Sequence, residues 1–244
     1  MTQTIRPTRR DASSTRREVF STRREASSTR REILATGAAA LATLALPSFA
    51  FAQQRSEPPA TVDVTELMAP QALPDMVVGK ADAPVTVVEY ASMTCTHCAA
   101  FHVESYPALQ SKYIEPGKVK FILREFPLDA VAAAAFMVAR CMGDKREAMV
   151  DLLFTQQKNW AFAPKPVDAL QGIVKQAGMS TEAFNKCLED RDMYKKVLDV
   201  RQRGSDAFKV QSTPTFFING TRAVGELNPD AMAKLIDPLL TAAK

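Results

Sequence analysis

Histidine is almost absent from this chain. There are two in 244 residues, His97 and His102, and both fall in "SMTCTHCAAFH", residues 92–102. Structural zinc wants four Cys or His ligands, usually as two separated pairs. Here the only local donors are Cys95, Cys98, His97 and His102. On a helix, His102 shares the face of Cys98 four residues earlier and His97 points elsewhere, so a metal site is poorly supplied. The C-x-x-C-H signature of covalent haem attachment is also missing, because Ala99 follows the second cysteine. A basic excess is lacking outside the leader. Residues 1–52 hold nine arginines against four acids, which leaves 22 basic against 23 acidic residues in 53–244. The net charge of +4 therefore belongs to the leader, and a nucleic-acid partner is not expected.

The leader carries "STRRE" three times, at 14–18, 21–25 and 28–32, in a Ser/Thr/Arg-rich setting that cannot bury a core. The seven-residue spacing lacks the apolar seam of a coiled coil and reads as a short duplication. "ILATGAAALATLALPSFAFA" then supplies a modest apolar stretch and an A-x-A ending. That order describes a secretory signal cut after Ala52, and "TRREILA" resembles a twin-arginine export signal. A Sec signal with incidental arginines and an uncleaved anchor are the alternatives. Export to the periplasm would place the cysteines where disulfides persist, with no stable membrane insertion after cleavage.

Residues 53–80 read as an extension holding a short helix or edge strand, and 81–244 as one domain. "APVTVVEYAS" (83–92) has the near-continuous apolar character of a buried strand. "CAAFHVESYPALQSKYI" reads as a helix, bent or broken at Pro107. "GKVKFILREFPL" (117–128) is a second strand, so strand–helix–strand implies a parallel crossover. From about 129 to 209 the pattern is helical, an insertion in an α/β framework. "TPTFFING" (213–220), "TRAVGE" and "NPDAMAKLIDPLLTAA" then give a strand, an antiparallel edge strand and a closing helix. Phe216 and Phe217 alternate, so at least one enters the core. Trp160, Phe154 and Phe162 are expected to pack the helical block, and His102 to lie half-exposed with no role.

A disulfide spanning two residues closes too small a loop to stabilise much. The redox reading accounts for the placement of Cys95 between a strand and a helix start, where free amides favour a thiolate. Cys98, one turn on, is in reach to resolve a mixed disulfide, and His97 can add charge or a hydrogen bond to the Cys95 sulfur. Metal carriage by Cys95, Cys98 and a histidine stays as an alternative, as does a vestigial site.

"VVEYASMTCTHCAAFH", with "TPTFFING" about 120 residues later, resembles the DsbA family of thioredoxin-fold thiol:disulfide oxidoreductases. The resemblance implies an α/β thioredoxin-like fold with an inserted helical block. It implies Cys95 as nucleophile, Cys98 as resolving thiol, and Thr213 and a cis Pro214 facing them, the cis bond exposing a backbone edge for substrate pairing. It also implies a buried acid at Glu89, six residues before Cys95, for proton exchange with Cys98. Thr96 departs from the family, where proline is common after the first cysteine. No cofactor is implied. The implied partners are reduced or unfolded exported proteins and a DsbB-like or DsbD-like membrane redox partner, the activity being dithiol oxidation or, alternatively, disulfide reduction or isomerisation. Cys141 and Cys187, in two helices of the block, are expected to form a second disulfide; two buried free thiols are the alternative.

Overall fold

The computed structural model describes residues 61–242; the leader, the twin-arginine motif and the cleavage position after Ala52 lie outside them. The described chain forms α1 (Val64–Leu67), β1 (Met76–Val78), β2 (Val85–Ala91), α2 (Thr96–Ala100), α3 (Tyr106–Leu109) and β3 (Val119–Glu125). Next come α4 (Ala130–Cys141), α5 (Arg146–Thr155), α6 (Gln157–Trp160), α7 (Pro166–Gln176), α8 (Thr181–Glu189) and α9 (Arg191–Phe208). The chain closes with β4 (Thr215–Ile218), β5 (Thr221–Val224) and α10 (Pro229–Ala242). Five strands make one sheet in the order β1-β3-β2-β4-β5, with β2 and β3 parallel and the other pairs antiparallel. The architecture is mixed α/β of thioredoxin-like type, with α4–α9 standing between β3 and β4 as the helical block. The segment expected as an extension supplies α1 and the edge strand β1, so part of it belongs to the sheet.

Both faces of the sheet are covered, which explains the unbroken apolar run of β2. Val87 and Ala91 enter a large core shared with the CxxC helix and the helical block. Val88 and Tyr90 enter a smaller one with Leu67 of α1 and Phe208 of α9. Side chains alternate along a strand, so Glu89 shares the face of Val87 and Ala91 and is aimed into the large core, opposite Phe216. The same alternation sends Phe216 and Phe217 into different cores, and both are fully buried. On the second face α9 comes so close to β2 that a Cβ at Gly204 would stand 2.7 Å from the Tyr90 ring. A larger residue there would have to displace packed aromatic atoms.

Between Cys95 and Glu115 the chain stays helical throughout. Two stretches, Phe101–Ser105 and Gln110–Ile114, take the wider π register. The first ends two residues before Pro107. Proline normally breaks a helix because its ring clashes with the turn before it; a π turn widens that position and lets the helix continue. The expected break at Pro107 is thus a local change of register. Phe162 also differs from expectation: it is 57% exposed, because it lies in the turn that connects α6 to α7. Trp160 and Phe154 are buried, with Trp160 Nε1–H donating to the Leu153 carbonyl at 2.8 Å.

Candidate active site

β2 delivers the chain into a short turn, Ser92-Met93-Thr94, and Cys95 is the N-terminal flanking residue of α2 with extended backbone (φ −80°, ψ 121°). The helical block and the segment that leads into it fix this turn at three points. Gln157 of α6 is buried and its amide donates to the carbonyls of both Met93 and Cys95, each at 2.9 Å. Thr94 Oγ1 donates at 2.7 Å to Asp129, which caps α4 through its other carboxylate oxygen. The Leu128 amide donates to Ser92 Oγ at 3.3 Å. Gln157 was not legible as a site residue, since nothing marks a helical glutamine as the clamp of a distant loop.

Cys95 and Cys98 are both free thiols in very different surroundings. Cys98 is wholly buried and Cys95 partly exposed. The Cys95 thiol is lowered to about 5. The largest cause is the hydrogen bond that Cys98 gives its sulfur, and the backbone N–H groups of Cys98 and His97 add to it against the opposing effect of burial. The Cys98 thiol is pushed well up, first by burial and then by its bond to Cys95 and the negative charge of Glu89. The two sulfurs are therefore split into a thiolate and a thiol, as attack and resolution require.

The Thr213–Pro214 bond is cis, and the Cys95 sulfur lies 3.2 Å from the Thr213 carbonyl oxygen. The structure thus brings Cys95, Cys98, Thr213 and Pro214 together across 118 residues of sequence. His97 assists through its backbone, not its ring. The imidazole is largely exposed and its Nδ1 lies 3.4 Å from Glu226, in the loop between β5 and α10. The expected ring–sulfur hydrogen bond is replaced by this outward pairing.

The largest difference from the sequence reading concerns His102. It is 8% exposed, not half-exposed, and its Nε2 shares a 2.8 Å hydrogen bond with Glu89 Oε2. Glu89 is fully buried. The imidazole is stacked on Phe154 with centroids 4.1 Å apart. Away from this site, Cys141 and Cys187 stand at bonding distance, Sγ–Sγ 2.08 Å, linking α4 to α8. Among the described residues no group of three or more His, Cys, Asp or Glu side chains is arranged to hold a metal ion.

A dithiol at a strand–helix junction, facing a cis-proline loop on a five-stranded mixed sheet, defines the class of thioredoxin-fold dithiol proteins. The family model described as Thioredoxin matches residues 71–238. A Rickettsia bellii relative named as a protein-disulfide oxidoreductase is 35% identical over 150 residues, which is 61% of this chain and 58% of that protein. The chain thus spans well under two thirds of that relative's length. A Bacillus cereus relative named as a disulfide bond formation protein D is 33% identical over 168 residues, 65% of this chain and 76% of that protein. The crystal structure of Wolbachia pipientis α-DsbA1 superposes with a TM-score of 0.68 at 28% identity, covering 74% of this chain and 98% of that one. The chain belongs to the thioredoxin family, in its DsbA-like group.

Proposed function

We propose that this protein is an exported thiol:disulfide oxidoreductase that introduces disulfides into other exported proteins through Cys95 and Cys98. The observation that carries the reading is the split between the two thiols. A Cys95 thiolate held down to about 5 stabilises the reduced enzyme, and a stabilised reduced form makes the disulfide the stronger oxidant.

In the proposed cycle a substrate thiolate attacks Cys95 Sγ of the oxidised pair. The Cys95–Cys98 bond breaks, its electrons leave on Cys98, and Cys98 takes up a proton. A second substrate thiolate then attacks the substrate sulfur of the mixed disulfide and releases Cys95 as thiolate. The substrate is oxidised by two electrons and the enzyme reduced by two. Thr213, with Pro214, presents its backbone beside the sulfur for an extended substrate. Glu89 exchanges the proton with Cys98. The Cys141–Cys187 bridge is assigned a structural role, tying two helices of the block that holds the CxxC turn.

The partners of this reading are reduced, unfolded exported proteins and a quinone-linked membrane protein that reoxidises the pair. Periplasmic export is supported by the arginine-rich leader and its A-x-A ending. Among the described residues no helix is long and apolar enough to cross a membrane. The test is equilibration of the active pair with glutathione: a potential near ~−120 mV identifies an oxidase, and one near ~−270 mV a reductase.

A further inference from the structure

Cys98 must gain a proton each time the disulfide opens and lose it each time it closes, yet it has no exposed surface. Glu89 beside it has none either. While a substrate is joined to Cys95 it covers the one sulfur that reaches solvent, so the proton needs another way through. Several observations converge on one. Glu89 Oε2 is bonded to His102 Nε2 at 2.8 Å, while Glu89 Oε1 and His102 Nδ1 are both buried without a hydrogen-bond partner. His102 also lines a cavity of about 460 Å³ between β1 and α5, floored by Tyr106 and Phe121, with exposed Val77, Glu147 and Asp151 among its walls. That cavity shares no lining residue with the groove beside Thr96 and His97. His102 falls in the π-register stretch Phe101–Ser105, an irregularity that recurs at functional positions.

We propose that His102 is a proton relay, connecting the buried Cys98–Glu89 pair to solvent through the β1–α5 cavity, on a route that a substrate bound at Cys95 leaves open. The inference rests on the oxidoreductase reading and extends it. In the opening step the pair reacts from its neutral form, Glu89 as acid and His102 as imidazole, which holds the same two protons as the carboxylate–imidazolium pair. The Cys95–Cys98 bond breaks and its electron pair leaves on Cys98. Glu89 Oε1–H gives its proton to that sulfur, directly or through one water. His102 Nε2–H passes its proton to Glu89 Oε2, and Nδ1, buried in this structure, takes one from a water that the cavity admits. One proton has moved from solvent to Cys98, and closing the disulfide runs the same sequence backwards.

The titratable groups around the ring are Glu89 from β2, Tyr106 from α3, and Glu147 and Asp151 from α5, with Asp144 and Arg146 also lining the cavity. Burial raises both Glu147 and Asp151, and the positive form of His102 pulls Asp151 the other way. These two acids stand at the entrance, where they can exchange protons between solvent and the cavity.

The test uses the full-length chain and stopped-flow reaction of the dithiol with excess oxidised glutathione, where the second step is the closing attack of Cys98. His102→Gln keeps a hydrogen-bond donor for Glu89 but cannot carry a proton. It is expected to slow closing by about 10²-fold and to flatten its pH profile, with the Cys95 alkylation profile unchanged. His102→Ala is expected to slow closing equally, and added imidazole, entering by the cavity, to restore it with a saturable dependence. Closing at the wild-type rate and pH profile in His102→Gln overturns the relay, and so does a folded His102→Ala that is slow but indifferent to imidazole. If His102→Ala does not fold, His102→Gln decides alone. Wild-type protein that exchanges with no thiol at all would overturn the oxidoreductase reading itself, and the relay with it. Active wild type with a silent His102 overturns the relay only.

Discussion

The two cysteine pairs of the described chain sit in opposite surroundings. Cys95 and Cys98 are three residues apart, at a helix start, in a turn held by side chains from elsewhere. Cys141 and Cys187 are 46 residues apart and connect two helices of the block. The first pair gains little from chain entropy, since its loop is tiny, and much from hydrogen bonds to a sulfur anion. The second closes a long loop and has no comparable set of donors; Cys187 Sγ lies 3.2 Å from the Met137 carbonyl, an acceptor. Loop length suits one pair to stabilise the fold, and local donors suit the other to exchange. Gln157 links the two regions, because it belongs to the block and grips the turn of the reactive pair.

The comparison can be broken most severely at Cys95. Cys95→Ser is expected to reduce oxidation of a reduced, unfolded protein to background, while the double change Cys141→Ala, Cys187→Ala leaves the rate essentially intact. Equal losses in the two would erase the distinction. In denaturant titration the order reverses: removing the 46-residue link is expected to lower stability by about 4 kcal/mol on the chain-entropy account.

A pH series separates the pairs next. The folded Cys95 thiol, at about 5, is a stronger acid than an unfolded cysteine near ~8.5. Between those values the unfolded chain binds the extra proton, so stability of the dithiol form rises with pH across that window and is lost as pH falls toward 5. The disulfide form, lacking that group, is the control. The gap in melting temperature between reduced and oxidised protein should move in favour of the reduced form from pH 5 to 8. A constant gap would contradict the thiolate.

Gln157→Leu comes next. It leaves two turn carbonyls without their donor, a loss of about 1–3 kcal/mol, and should also raise the alkylation midpoint of Cys95 if the block positions the turn. The smallest effect is expected from Glu226→Gln, below about 1 kcal/mol, because the His97 ring it faces is largely exposed and screened.

Much of this arrangement could be read from the sequence, for identifiable reasons. The β2 run, the glycine turn before β3 and the helical block have strong periodic or compositional signals, and the CxxC is placed by the junction it occupies. The burial of His102 is not legible in the sequence, although it lies four residues from Cys98 and shares its face. A histidine scores as polar, and the partner that makes its burial affordable, Glu89, sits on a strand buried on both sides. Such a strand has no polar–apolar alternation to announce which way Glu89 points; that follows only once Val87 and Ala91 are seen in the large core. Gln157 and Glu226 were invisible because each acts across long sequence distance through a single polar contact. The continuity of the helix through Pro107 is not legible either, because the neighbouring π register has no sequence signature.

The central claim is that Cys95 is a thiolate at neutral pH, and the rate of its alkylation as a function of pH tests it most directly. The account predicts a midpoint at about 5, with the rate level above pH 7. A midpoint near ~8.5, the value of an ordinary cysteine, would contradict it.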